Sequence, residues 1–136
     1  MNTTAARATG TSRWQVWTGR VLSAIPVVLM VFSAYLKLSH APQAVAAFVS
    51  MFGWPEGALT GLAILELATV VLYLIPQTAM LGAILMVGYL GGAVATHLRI
   101  GDPGWAIPAG LGVLAFGGMF FRDARVRALI PFRRTA

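Results

Sequence analysis

The sequence predicts an all-α fold, a polytopic membrane bundle of four helices, and three observations support this prediction. The 136 residues are 58% hydrophobic and only 10% charged, with a mean hydropathy of +0.79. A soluble domain carries about 25% charged residues, so this chain lacks the polar surface that a soluble domain needs. Four apolar segments are long enough to cross a bilayer, and the turns between the last three are short.

Each apolar segment is a predicted membrane span, because about 20 helical residues cross a hydrocarbon core of roughly 30 Å. The spans are predicted at residues 17–38, 57–75, 78–98 and 105–121. They lie in a bundle formed by residues 14–132, between a disordered tail at 1–13 and a basic end at 133–136. A cleaved signal peptide is the alternative for the first segment, but its apolar run is too long and no small-residue cleavage site follows it.

The connections indicate which helices are neighbours. Residues 76–77 are the whole turn between the second and third spans, so these helices are predicted to be antiparallel neighbours. Residues 101–104 have the composition of a tight turn before the fourth span. Only the first connection is long. Within it, residues 42–52 begin with a proline and continue apolar, which predicts a short helix in the membrane interface.

The basic residues predict the orientation of the chain. Eight of the ten lie in the two terminal flanks: Arg7, Arg13, Arg20, Arg122, Arg125, Arg127, Arg133 and Arg134. The positive-inside rule then predicts cytoplasmic N and C termini and a multi-pass protein of the cell (plasma) membrane. This distribution explains the net charge of +6 better than nucleic-acid binding does, so no nucleic acid is expected as a partner.

The absence of cysteine excludes several chemistries at once. Disulfide exchange, thiolate nucleophiles, iron–sulfur clusters and thiol-bound zinc all require it. No cofactor and no metal site are predicted, and no catalytic constellation is recognisable. Whether the protein is an enzyme is left open, and an accessory subunit of an oxidoreductase is the nearest enzymatic assignment.

One acidic residue, Glu66, lies in the middle of the apolar stretch 57–75. A lone charge at the centre of a bilayer costs on the order of 3 kcal/mol. We therefore expect Glu66 to be protonated, or to be reached by water or by a ligand. At about 1.5 Å per residue, Tyr89 lies at the same height on the next helix, close enough for a hydrogen bond.

Further polar residues are predicted to form a basic outer mouth of the bundle. Tyr35, Lys37, His97 and Arg99 lie roughly 27–31 Å above the cytoplasmic ends of their spans by the same arithmetic. Lys37 could reach down to Glu66 if the first span tilts, because its stem of about 6 Å is not long enough by itself. For Arg99 the simplest partner is Asp102 in the following turn. Each of these residues also has a purely structural interpretation, such as snorkelling of Lys37 or solvation of His97 at the interface.

Glycines at four-residue spacing predict where the helices approach each other. Gly57 with Gly61, and Gly88 with Gly92, each lie on one face of a helix, and Gly110, Gly117 and Gly118 do so more loosely. Lipid removes the hydrophobic drive for helices to associate, so close contact between small residues replaces it. These glycines are therefore predicted to lie at helix–helix contacts.

The chain contains four distinctive motifs: WxxWTGRVLSAIP at 14–26, ILEL at 64–67, LYLIP at 72–76 and GYLGGAVATHLRIGDP at 88–103. They resemble the DoxX-like family of small bacterial membrane proteins over about residues 14–132. The resemblance implies a four-helix bundle in the plasma membrane and a link to membrane-bound oxidoreductase complexes, including a thiosulfate–quinone oxidoreductase subunit. The matching polar residues are Lys37, Glu66, Tyr89, His97, Arg99 and Asp102, and the resemblance implies no catalytic role for any of them.

These observations lead to one main hypothesis and two alternatives. The main hypothesis is a membrane subunit or binding protein for a lipid-soluble small molecule, quinone-like or another amphiphile, in a polar pocket of the outer half. Its predicted ligand-binding residues are Glu66, Tyr89, His97, Lys37, Arg99 and Tyr35. The alternatives are a proton-coupled transporter and a scaffold without a ligand site, in which Glu66 only fixes helix register. The expected partners are the bilayer, the amphiphile, and either a second copy or an oxidoreductase.

Overall fold

The computed structural model describes residues 11–129, and within this range the predicted all-α class is confirmed. The helices are α1 (Arg13–Leu38), α2 (Pro42–Val45), α3 (Ala58–Leu74), α4 (Ala79–Arg99), α5 (Ala106–Arg122) and α6 (Ala124–Leu129). Helix α2 continues as a π-helical turn, Ala46–Met51, and a 3₁₀ turn, Pro103–Trp105, leads into α5. Most of the predicted tail, residues 1–10, and the predicted basic end at 133–136 lie outside the described residues.

Helix α1 begins four residues before the predicted span because Ser12 caps it. The Ser12 hydroxyl accepts a hydrogen bond from the Gln15 backbone amide at 3.3 Å. In return, Gln15 Oε1 accepts one from the Ser12 amide at 3.1 Å. This reciprocal capping box satisfies backbone donors that would otherwise have no partner at the helix start. The resulting helix has 26 residues and is about 39 Å long.

The four long helices pack in a ring, in the order α1, α3, α4, α5 and back to α1. Helices α3 and α4 are antiparallel and joined by a short turn, in which Thr78 Oγ1 donates a hydrogen bond of 2.9 Å to the Leu72 carbonyl. The centre of the ring is filled by apolar side chains: Met30, Val70, Tyr73, Ala83, Met86, Leu90, Ala115 and Met119. We call the end of the ring where α1 ends and α3 begins the lid end.

The ring is apolar outside and holds polar groups inside, which fits a lipid environment rather than water. Large apolar side chains face outward on every long helix, among them Phe32, Ile64, Ile84 and Val113. The buried polar side chains are Ser23, Lys37, Glu66 and Thr69. Three helical segments, Arg13–Leu38, Ala79–Arg99 and Pro103–Arg122, are long and apolar enough to cross a membrane, and α3 is a shorter apolar helix of 17 residues.

Of the glycines predicted to lie at helix–helix contacts, Gly118 does so, whereas the two regularly spaced pairs do not. A Cβ atom added at Gly57, Gly61, Gly88 or Gly92 would meet no atom within 4 Å, so the predicted contacts are wrong within this chain. Close approach occurs instead at Gly118, where a Cβ would overlap Ser23, and at Gly82, where it would overlap the Tyr73 backbone. The spacing of glycines marks a helix face, but it does not indicate whether a neighbouring helix covers that face.

Candidate functional site

A buried ion pair joins α1 to α3 at the lid end. Lys37 Nζ lies 2.6 Å from Glu66 Oε2, and the two side chains are only 2% and 3% exposed. Lys37 also donates a hydrogen bond of 2.5 Å to Ser33 Oγ, one helical turn earlier on α1. Glu66 therefore points into the ring rather than toward lipid, and a base neutralises its charge there.

Lys37 reaches Glu66 although its stem alone is too short, and the register of the helices explains how. Ser23 Oγ and Tyr73 Oη are 2.7 Å apart, which fixes the height of α3 against α1. From this contact Lys37 lies fourteen residues farther along α1, and Glu66 lies seven residues back along α3. The difference of seven residues is about 10 Å. A lysine stem of about 6 Å together with the glutamate side chain spans that distance.

Tyr89 on α4 completes the surroundings of the acid. Its hydroxyl and the Ser33 hydroxyl both lie close enough to interact with the Glu66 carboxyl. Thr69, on α3 itself, donates a hydrogen bond of 2.8 Å to the Glu66 carbonyl. Three helices thus contribute polar side chains to one small cluster around Glu66.

The segment between α1 and α3 covers this cluster. We call residues 42–52 the lid segment. It is helical from Pro42 to Met51, and its second half has the wide π-helical turn, closed by a hydrogen bond of 2.9 Å from the Phe52 amide to the Ala47 carbonyl. The Phe48 ring lies over the Lys37 ammonium at 4.9 Å from the ring centroid. An aromatic ring of the lid segment therefore covers the ammonium of the ion pair.

The C-terminal end of α4 holds the lid segment in place. The Phe52 ring packs edge-on against His97, with the ring centroids 4.7 Å apart, and Phe48 packs edge-on against Phe52 at 5.7 Å. Arg99 donates a hydrogen bond to the Phe52 carbonyl. A continuous set of contacts thus runs from His97 to Lys37 through two phenylalanine rings.

His97, and not Arg99, is the partner of Asp102. His97 Nδ1 pairs with Asp102 Oδ2, whereas Arg99 contacts the lid segment, so the predicted Arg99–Asp102 pair is wrong. Hydrogen bonds from the His97 ring and then from the Gly104 backbone amide hold the pKa of Asp102 below its usual value. Gly101, with φ at +69°, lets the chain turn sharply enough for the carboxylate to reach the ring.

The predicted basic mouth is only partly assembled. Tyr35 is 64% exposed on the outside of α1 and does not join the other residues. Lys37 lies beneath the lid segment rather than at a rim, because its charge is taken up by Glu66. His97 and Arg99 do lie together, and both contact Phe52.

Sequence reasoning missed Ser33, Phe48 and Phe52. Ser33 precedes Lys37 by four residues, so the helical period was a usable signal that they share a face. The two phenylalanines carried no such signal, because an aromatic residue in an apolar interface helix usually contacts lipid. Their roles depend on how the lid segment folds back over α1.

A second polar cluster at the opposite end is structural. The buried Tyr73 hydroxyl donates a hydrogen bond of 2.6 Å to the Ala115 carbonyl and shares another with Ser23, and the Arg122 guanidinium stacks 4.6 Å from the Tyr73 ring. These contacts tie α1, α3 and α5 together. An apolar groove of about 540 Å³ lies between α4 and α5, lined by residues such as Val87 and Val113.

Metal binding finds no support in the part of the chain that the structure describes. Among residues 11–129, no three His, Asp or Glu side chains come together in a way that could hold a metal ion. The cluster at the lid end consists of one acid, one base and hydroxyl groups. Such a set can hold a polar head group by hydrogen bonds and can accept or release a proton.

Comparison with known proteins identifies the chain at the level of a family. The family model described as the DoxX-like family matches residues 21–118. This range contains the ion pair, the lid segment and the His97–Asp102 contact. No curated protein and no solved structure matches the chain.

Proposed function

The chain belongs to the DoxX-like family of membrane proteins, and from that premise we propose that it binds the polar head of a lipid-soluble small molecule at the Lys37–Glu66 pair. The molecule is an amphiphile, quinone-like or of another kind. The protein acts either as a binding protein or as the membrane subunit of an oxidoreductase. If it is a subunit, its partner protein carries the redox group, because a chain without cysteine offers few side chains that could ligate such a group.

One observation carries this proposal, namely a buried ammonium–carboxylate pair in an apolar membrane protein. Such a pair is a poor way to stabilise a fold, because apolar side chains of similar volume hold helices together as well or better. Ionisable groups inside a membrane span mark substrate, ion or proton sites by default. The pair is therefore best explained by a ligand or a proton that it receives.

The lid segment supports access to this site from one end. Its π-helical turn widens the backbone next to Phe48, and such turns occur frequently at functional sites. The Phe48 ring, the contacts of Phe52 and the packing of the buried Ala44 hold it over Lys37. A small outward movement of this segment uncovers the ammonium without breaking any contact between the long helices.

In the proposed topology the protein lies in the plasma membrane, crosses it four times and has both termini in the cytoplasm. Helix α3 serves as a short span, with its 17 residues at the lower limit of the usual length. The cysteine-free chain makes a direct test simple. Ser50→Cys in the lid segment should react with an impermeant maleimide on intact cells, whereas Ala128→Cys should react only after permeabilisation. The reverse pattern would contradict the orientation.

Binding is tested on protein purified in native lipid. Organic extraction followed by mass spectrometry should detect a co-purified amphiphile, and a photoreactive decylbenzoquinone should label residues near Lys37. Glu66→Gln should fold and lose most of this labelling, whereas Glu56→Gln, the same change at an exposed residue, should not. If no amphiphile co-purifies and the quinone does not label the site, the proposal fails. A silent Glu66→Gln would favour a scaffold.

A proton-coupled transporter is the second candidate, and the same ion pair favours it. A carboxylate and an ammonium in contact can exchange protons as a substrate enters and leaves. Reconstituted liposomes distinguish the two candidates. A proton-coupled flux that disappears in Glu66→Gln would establish transport, whereas saturable binding without flux would leave the binding protein as the function.

A further inference from the structure

We infer that the ligand of the Lys37–Glu66 site carries a single negative charge and binds together with one proton, which Glu66 accepts. This inference rests on the proposed function and adds the chemical class of the ligand. The anion takes the place of the Glu66 carboxylate beside Lys37 Nζ, and the protonated Glu66 has the hydroxyl groups of Tyr89 and Ser33 nearby. The site is neutral before binding and neutral afterwards.

The order of the charged groups favours an anion over a cation. Lys37 is the last residue but one of α1, directly beneath Phe48, whereas Glu66 lies eight residues into α3. A molecule that enters beneath the lid segment therefore meets the ammonium first. Two further charges lie at this end: Arg99, which contacts the Phe52 carbonyl of the lid segment, and Glu56, which is exposed just before α3, while Asp102 is paired with His97.

Charge balance requires the proton. An anion added to an intact pair would leave a net negative charge in an apolar ring, which costs far more than one hydrogen bond returns. Among the described residues, the groups that face Glu66 are Lys37 and Ser33 from α1 and Tyr89 from α4. Lys37 is needed to hold the anion, so Glu66 is the group that takes up the proton.

The test uses permanently charged probes, so that any proton bound belongs to the protein. Decanesulfonate is the anion, decyltrimethylammonium the cation and decylbenzoquinone the neutral probe, each titrated into protein in nanodiscs between about pH 6 and pH 8. For the wild type, the affinity for decanesulfonate should fall about tenfold per pH unit, because one proton binds with each anion. The cation should not bind.

Variants test whether the pH dependence of the affinity arises from Glu66. Glu66→Gln should bind decanesulfonate with an affinity that does not change with pH, and Glu56→Gln should keep the wild-type slope. His97→Gln should also keep the slope, which excludes His97 as the source of the pH dependence. Lys37→Met should not bind the anion. Lys37→Arg keeps the positive charge and should retain binding. That result would show that the loss of binding in Lys37→Met comes from the missing charge and not from misfolding.

The outcomes separate the two proposals. A flat wild-type profile, or a slope that survives in Glu66→Gln, overturns the coupling to a proton at this residue. Binding of decylbenzoquinone without binding of decanesulfonate overturns the anionic class and leaves the proposed function standing. If none of the three probes binds, the proposed function fails as well.

Discussion

Lys37 Nζ lies 2.6 Å from Glu66 Oε2, and this contact crosses from the end of one long helix to the middle of another. This ion pair explains how a carboxylate can lie within an apolar segment. Neither charge contacts lipid, because each is the other's partner and Phe48 covers the ammonium. The cost of burying two charges remains, which is why we assign the pair a function rather than a role in stability alone.

The pair predicts strong energetic coupling between its two residues. Glu66→Leu or Lys37→Met alone should lower the free energy of unfolding by about 3–5 kcal/mol, because each leaves one buried charge without a partner. The double variant should recover most of this loss, because no buried charge remains. Reversible unfolding in mixed micelles measures all three. Glu56→Leu, at an exposed carboxylate, is the control, and losses that simply add in the double variant would count against the ion pair.

The lid segment predicts a difference in chemical accessibility. Lys37 is the only lysine of the chain, so an amine-reactive ester followed by peptide mass spectrometry reports its exposure directly. In Phe48→Ala the rate of modification should rise about tenfold, since a contact worth about 1–2 kcal/mol over the ammonium is lost. Phe32→Ala, on the outward face of the same helix as Lys37, should leave the rate unchanged. Equal rates in both variants would show that Phe48 does not shield Lys37.

The His97–Asp102 contact predicts a loss of stability in acid. The pKa of Asp102 is lowered in the folded state, so its contribution is fully present above its unfolded pKa of about 3.9 and is lost as the pH falls through the lower folded value. The melting temperature of the wild type should therefore decline between about pH 4.5 and pH 2.5 more steeply than that of Asp102→Asn. Glu56→Gln serves as the matched control, and parallel curves for wild type and Asp102→Asn would refute the prediction.

The packing glycines predict unequal effects of one added methyl group. Gly118→Ala should destabilise by about 1–3 kcal/mol, because its Cβ overlaps Ser23 and α1 and α5 must separate. Gly92→Ala has open space around it and should change stability by less than about 1 kcal/mol. Thermal unfolding in detergent measures the difference. A larger loss in Gly92→Ala would indicate that another copy or a partner covers that glycine.

Much of the fold could be predicted from the sequence, because it follows from local composition. The apolar segments determine where the long helices lie, and Pro76 and Gly101 end two of them in turns that the sequence marks clearly. The sequence did not reveal how far α1 extends, because Ser12 acts through one capping contact and not through hydrophobicity.

The candidate site was predictable only as a set of residue types. Glu66 stands out in the sequence because acidic residues are rare in apolar spans. Tyr89 could be placed beside Glu66 from its height along the next helix. The partner of Glu66 could not be found in this way. Whether Lys37 reaches it depends on a vertical shift between α1 and α3, which the contact of Ser23 with Tyr73 sets from the far end of the ring.

The sequence by itself determined that this chain is an apolar helical protein of the DoxX-like family with one acid inside. Hydrophobicity and helical period are properties of neighbouring residues, so they can be read along the chain. Only the tertiary structure decided that Lys37 neutralises Glu66, that Tyr35 faces outward and that Phe48 covers the pair. Those outcomes depend on the rotation and register of packed helices, where a shift of a few ångströms separates an ion pair from two isolated charges.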